Sequence, residues 1–188
     1  RRMTDKVHGL DQESYHLVLL CENQKGYENL CYMVSEAFLH GFYGKPRIDL
    51  ELLEQRHEGL IALSACLGGA IPQALLHEDY QGARAYALRL SELFGPDRFY
   101  LELQDHGIEA QRPVNQGLQR LAREEGLPLV ITNDAHYLRK EDADMQDVLL
   151  CIQTGKTVDD QNRMRFETQE FYLKSEEELR ALFPGCDE

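Results

Sequence analysis

Leu129-Val130-Ile131-Thr132-Asn133-Asp134-Ala135-His136-Tyr137 is an apolar run that ends abruptly in Asn-Asp-x-His. The run is short enough for one strand, and parallel strands buried on both faces read as unbroken apolar runs of this kind. In α/β sheets and barrels the chemistry gathers just past the carboxyl ends of such strands. Asp134 and His136 stand two apart, so in extended chain their side chains lean the same way. A carboxylate and an imidazole converging at a strand end are natural ligands for zinc, manganese or iron. The plainer alternative is a capping Asp beside a solvated His.

Working outward, strand-like and helix-like stretches alternate. His16 to Cys21, Gly59 to Ser64, Arg98 to Gln104 and Leu127 to Thr132 read as strands. Between and after them the apolar spacing turns helical: Gly26 to Phe42, Asp49 (as a cap) to Gln55, Asp79 to Phe94, Glu109 to Glu125 and Glu141 to Gln153. Gly155 sits just past the last of these, where a left-handed cap belongs. Ser175-Glu176-Glu177-Glu178 opens a final helix with a capping box. Alternation of this sort predicts an α/β fold, a parallel sheet or barrel with helices outside. Four strands are too few to close a barrel, so a truncated one is expected.

Composition narrows the function classes. Thirty-three acidic against twenty basic side chains give 188 residues a net charge of −13. Such a surface repels phosphate backbones, which makes this stretch by itself a poor DNA-gripping module. Five cysteines at loose spacing, with no CxxC pair, fit a reducing cytoplasm. No apolar stretch reaches the roughly 18 residues of a membrane span, and no signal peptide is visible. Both ends, Arg1-Arg2-Met3 and Gly185-Cys186-Asp187-Glu188, read as cut. Phosphate-loop and serine-nucleophile motifs are absent, which removes support for nucleotide-loop and serine-hydrolase chemistry.

Two further strand ends carry suggestive side chains. After Gly59-Leu60-Ile61-Ala62-Leu63-Ser64 comes Ala65-Cys66-Leu67-Gly68-Gly69, where small residues let backbone approach a ligand and a thiolate could face it. Taken by itself, that stretch reads better as a small buried cysteine packed under a Gly-Gly turn. After Phe99-Tyr100-Leu101-Glu102-Leu103 comes Gln104-Asp105-His106-Gly107, a site histidine or a plain turn, with the turn preferred. If the strands are parallel, all three loops open on one rim, as in metal-dependent hydrolases of this architecture.

Here a family resemblance becomes specific. Ser14-Tyr15-His16-Leu17-Val18-Leu19-Leu20 with Gly26-Tyr27-Glu28-Asn29-Leu30, then Gly59 to Gly68, Phe99 to Gly107, Val130 to Tyr137 and Glu170-Phe171-Tyr172-Leu173-Lys174-Ser175 follow a known order. Together they resemble the polymerase-and-histidinol-phosphatase (PHP) domain of bacterial replicative DNA polymerase III alpha subunits, over essentially the whole chain. The resemblance implies a distorted β/α barrel, truncated at its N-terminal side, with residues 1–188 forming one partial PHP domain. It implies metal ligands at His16, Cys66, Asp134 and His136, with Asp134 and His136 catalytic and Glu102, His106 and Asn133 as possible lining. His16 opens its strand rather than closing it, so without the family it would read as a boundary histidine bonded to backbone. The family's His-x-His motif, its next Asp and its following His and Glu have no counterpart here and would lie before Arg1.

The resemblance further implies divalent ions (Zn, Mn or Mg) in a cluster that this stretch only part-supplies, and a metal-dependent 3′–5′ exonuclease in the parent. DNA, dNTPs and other replisome subunits would be partners through absent domains, in the cytoplasm, with the stretch alone inactive. Two other readings stay open: a structural docking module for the polymerase core and a proofreading partner, and a free-standing PHP metallophosphatase.

Overall fold

The computed structural model describes residues 2–11 and 14–186; Arg1 and Asp187-Glu188, part of the ends read above as cut, lie outside the described residues. It is a mixed α/β fold with a four-stranded sheet, in the order β1 (Val18–Cys21), β2 (Leu60–Leu63), β3 (Phe99–Leu103), β4 (Leu129–Ile131). All four predicted strands form, the first trimmed at its start and the other three at both ends. The helices are α1 (Gln24–Leu39), α2 (Leu50–Arg56), α3 (Ala70–Leu76), α4 (Tyr80–Phe94), α5 (Gln111–Glu125), α6 (Ala143–Thr154) and α7 (Glu176–Leu182). Helix α3 was not expected. Its Ala-Ile-Pro-Gln-Ala-Leu-Leu is too short to show a period, and the Gly68-Gly69 pair before it reads as loop. The chain divides into two units, residues 1–102 with 117–130, and residues 103–116 with 131–188.

In the first unit the sheet corrects the expectation of uniformly parallel strands. β2 and β3 are parallel, but β1 runs antiparallel to β2, with Val18 opposite Leu63 and Cys21 opposite Leu60. Leu60, Ala62 and Leu101 are fully buried, and Leu53, Ile71, Leu90, Phe99, Leu118 and Leu121 close the same core. Helix α4 presents Ala83, Ala87, Leu90 and Phe94, a stripe at helical spacing, to the interior. Its Asp79 cap accepts the Gly82 N–H, as the Asp49 cap of α2 accepts that of Leu52. Asp49 uses its second oxygen on the Met3 N–H (2.8 Å), and the Arg47 guanidinium gathers the carbonyls of Met3, Asp5, Asp11 and Gly41. One fork of donors thus ties the leading residues to the turn before α2.

Helix α1 meets the turn before β2 at backbone contact. Asn23 caps it through the Gly26 N–H, the buried Asn29 side chain donates to the Glu58 carbonyl (2.9 Å), and the Glu22 N–H donates to Gly59. A Cβ on Gly26 would stand 1.8 Å from the Gly59 carbonyl oxygen. Gly59 itself adopts φ +75°, a conformation L side chains rarely enter.

In the second unit, Arg163 and Asp147 form a two-point ion pair (2.5 and 2.7 Å) that ties the loop after α6 back to that helix. The Arg163 bond holds the Asp147 carboxyl below its ordinary pKa. Gly155 takes the left-handed cap expected of it, and Ser175 and Glu178 form the expected capping box on α7.

Gly26→Ala gains up to about 1 kcal/mol of helix propensity but drives a methyl into immovable backbone, so a net loss of about 2 kcal/mol is expected by urea unfolding. No loss would mean that α1 can shift off the turn.

Candidate functional site

The candidate residues form two pairs, one in each unit. The first follows from the antiparallel ladder. Because β1 runs against β2, the chain just before β1 lies beside the loop that leaves β2. His16 is therefore carried to Cys66, although it stands at the wrong end of its strand for a parallel sheet. The His16 N–H donates to the Gly68 carbonyl (2.9 Å), and Cys66 Sγ lies 3.5 Å from His16 Nδ1.

Small residues make this approach possible. A Cβ on Gly68 would stand 3.0 Å from His16 Nδ1, and one on Gly69 would stand 2.2 Å from the Ser64 carbonyl oxygen. The buried Ala65 turns at φ +66° to swing Cys66 out of the sheet. The Gly69 N–H closes the turn on the Cys66 carbonyl, and Gln73 Nε2 donates to the Leu67 carbonyl. On the neighbouring strand Glu102 is buried, and its N–H donates to the Ser64 hydroxyl (2.8 Å).

The second pair is Asp134 and His136, in the loop leaving β4. Asp134 takes φ +44°, a left-handed conformation that Asp tolerates better than most residues. The Asp134 carbonyl lies 2.8 Å from His136 Nδ1. A carbonyl only accepts, so Nδ1 carries the hydrogen and the neutral ring keeps its lone pair on Nε2. That is the arrangement in which a metal-binding histidine is held by backbone on its far nitrogen. Phe166 and Phe171 meet the ring edge-on at 4.8 and 5.5 Å, which fixes its plane.

His106 is neither a rim ligand nor merely part of a turn. The turn is there, since Asp105 accepts the Gly107 N–H, but the ring is 1% exposed and stacked on Phe171 at 4.2 Å. Gln111 Nε2 donates to its Nδ1 (2.9 Å), so its Nε2 carries the hydrogen and donates to the Asn133 carbonyl (2.7 Å). Burial pushes its pKa below the ordinary histidine value, against the Asn133 bond and the Asp134 and Asp105 charges that favour the cation. Lys174, buried and also depressed in pKa by desolvation, hydrogen-bonds the Glu170 carbonyl and lies over the Tyr172 ring. Tyr172 donates to Glu178, and its pKa is pushed up to about 12, chiefly by that bond.

Sequence reasoning did not single out Gln111, Phe166, Thr168 or Lys174 as part of this arrangement. The Glu170 to Ser175 motif was the available signal. The donor chemistry of each pair suits a divalent cation, but neither pair is a complete site. Among the described residues no group of three or more His, Cys, Asp or Glu side chains is placed to hold a metal ion. A groove of about 1220 Å³ in the first unit, lined by Leu17, Leu19, Met33, Arg47 and Leu53 among others, includes none of the four candidate ligands.

His106 is held neutral while the unfolded chain titrates near the ordinary value of about 6.5. Below that pH the unfolded state binds the extra proton, so its contribution to stability is full above about pH 6.5 and falls as pH drops towards the lowered folded value. Melting curves between about pH 5 and 8 should show this, and His106→Gln, less stable at the alkaline end, should show a flatter profile.

Residues 3–106 match the family model described as PHP domain. The chain is 47% identical over 187 residues to DNA polymerase III subunit alpha of Treponema pallidum (strain Nichols), covering 100% of this chain and 16% of that protein. It is 48% identical over 183 residues to the protein of the same name from Borreliella burgdorferi, covering 97% of this chain and 16% of the relative. The Thermus aquaticus protein of that name is 50% identical over 179 residues, 95% of this chain and 15% of its own length. The chain thus spans about one sixth of the length of these relatives.

Proposed function

The chain belongs to the PHP-domain family, and on that premise we propose that it is part of the alpha subunit of a bacterial replicative DNA polymerase. The observation that carries this is identity of 47–50% to DNA polymerase III alpha subunits over 95–100% of the chain. Residues 1–188 would make one partial PHP domain, a distorted β/α barrel incomplete at its N-terminal side. The parent would extend primed DNA by nucleotidyl transfer from dNTPs, using domains outside residues 1–188, in company with other replisome subunits in the cytoplasm. No helix among the described residues is long and apolar enough to cross a membrane.

Within that parent we assign the PHP site a metal-dependent 3′–5′ exonuclease role. His16, Cys66, Asp134 and His136 would hold divalent ions (Zn, Mn or Mg), with Asp134 and His136 closest to the chemistry. Bound ions would supply an activated water and charge stabilisation at phosphorus. Asp134 contributes the negative charge that retains a cation, and His136 offers Nε2 because its Nδ1–H is committed to backbone. Cys66 and His16 offer a soft sulfur and an imidazole already in contact. Glu102, on β3, donates its N–H to Ser64 two residues before Cys66, Asn133 directly precedes Asp134, and His106 donates to the Asn133 carbonyl. Each pair supplies two ligands, and the rest of a cluster would come from elsewhere in the parent.

One observation favours a second reading, in which the domain docks partners rather than cleaving DNA. Helix α6 exposes Met145, Val148, Leu149 and Ile152 at helical spacing, a stripe suited to packing against another protein surface.

Asp134→Asn in the polymerase-length protein keeps shape and removes the cation-holding charge. Mismatch excision should be abolished while primer extension, which draws on other carboxylates, persists. Wild-type excision that survives both this substitution and metal chelation would overturn the catalytic role. Absence of excision in the wild type, with loss of melting temperature or partner binding in the variant, would favour docking.

A further inference from the structure

We propose that Asn133 is a positioning residue that holds the Asp134–His136 pair in ligating geometry without itself touching metal. This rests on the metal-site reading above. The Asn133 side chain behaves like a strand partner: its Oδ1 accepts the Lys174 N–H (2.9 Å) and its Nδ2 donates to the Lys174 carbonyl (3.2 Å). Only one orientation of the amide satisfies both bonds, because a backbone N–H donates and a carbonyl accepts. The Asn133 main chain is gripped as well, its carbonyl accepting from His106 Nε2. His106 is in turn fixed by both ends of the Gln111 amide, by the Thr168 hydroxyl on its carbonyl, and by stacking on Phe171.

Three residues on, the His136 N–H donates to the Phe171 carbonyl (2.8 Å). Lys174 and Phe171 belong to one short segment, so the loop is pinned to it at two points. Asp134 and Ala135 form the arch between the pins. The left-handed turn at Asp134 is a conformation a non-glycine residue keeps only when its surroundings over-determine it. The same arch brings the Asp134 carbonyl to His136 Nδ1, the bond that leaves Nε2 for a ligand. Without the Asn133 clip one pin is lost, the turn can relax, and carboxylate and imidazole lose their fixed relation.

An amide is the group that fits. A carboxylate at this position would keep the bond from the Lys174 N–H and set its second oxygen against the Lys174 carbonyl. An alanine would lose both bonds.

The test uses the polymerase-length protein, titrated with cobalt(II), whose visible bands report both affinity and coordination geometry. Asn133→Ala and Asn133→Asp should each weaken cobalt binding by about 10- to 100-fold, with displaced bands at saturation. The metal-free melting temperature should fall by no more than about 4 °C. If Asn133→Ala does not fold, Asn133→Asp decides. Affinity within about two-fold of wild type and unchanged bands in the Asn133 variants, while Asp134→Asn loses cobalt, overturns the positioning role and leaves the metal reading standing. A large fall in metal-free melting temperature with unchanged bands also overturns it, making the clip structural only. Cobalt binding that is absent from the wild type, or indifferent to Asp134→Asn, overturns the metal reading and this inference with it.

Discussion

The antiparallel ladder between β1 and β2 sets where a ligand can stand in the first unit. Its register, Val18 against Leu63 through Cys21 against Leu60, leaves one residue, Leu17, between the ladder and His16, and puts that histidine at the exit of β2. The loop there is built from residues too small to obstruct it. Shift the register by one and every β1 side chain changes face, removing His16 from Cys66. The buried side chains of β2 oppose such a slip, since Leu60 and Ala62 are fully enclosed and leave no alternative seating.

The second unit solves the same problem by a different device. Its ligand pair sits in a loop, which would ordinarily be mobile, and order comes from an aromatic and hydrogen-bonded shell. His106, Phe171, Phe166 and His136 contact one another in sequence through their ring faces and edges. Each donor in the Gln111–His106–Asn133 series has one acceptor, so the His106 tautomer follows from its neighbours. Burial of Lys174 is tolerable because Glu170 receives its ammonium and Tyr172 offers a ring face. The shell is dry and polar together, and such networks hold a conformation firmly only when every member is satisfied.

Much of this was legible in the chain. Apolar runs located all four strands, and Asp49, Gly155 and Ser175 announced helix ends through the capping chemistry of their side chains or, at Gly155, a left-handed backbone. Asp134 and His136 stood out because polar residues directly after a buried strand need a reason. The sense of β1 was not legible: strand direction is a tertiary choice, and a four-residue strand carries no mark of it. Helix α3 escaped because seven residues give fewer than two turns of pattern. The turn at Gln-Asp-His-Gly was legible and forms, but its sequence neighbours do not disclose that Phe171 covers the His106 ring. The role of Asn133 depends on Lys174, 41 residues away, a pairing no local pattern encodes.

The contact between Gly26 and Gly59 bears on how such a chain can vary over time. Each position is closed for its own reason, Gly26 by the facing carbonyl and Gly59 by its backbone angle as well as by Asn23 and Gly26 at its side. Shrinking a neighbour cannot make room, because the obstacle at Gly26 is main chain, present whatever residue stands at position 59. The two sites therefore cannot compensate one another, and drift at either has no intermediate to pass through. Variation has to be absorbed elsewhere, on exposed faces such as the outer side of α1, while this crossing point stays fixed in composition.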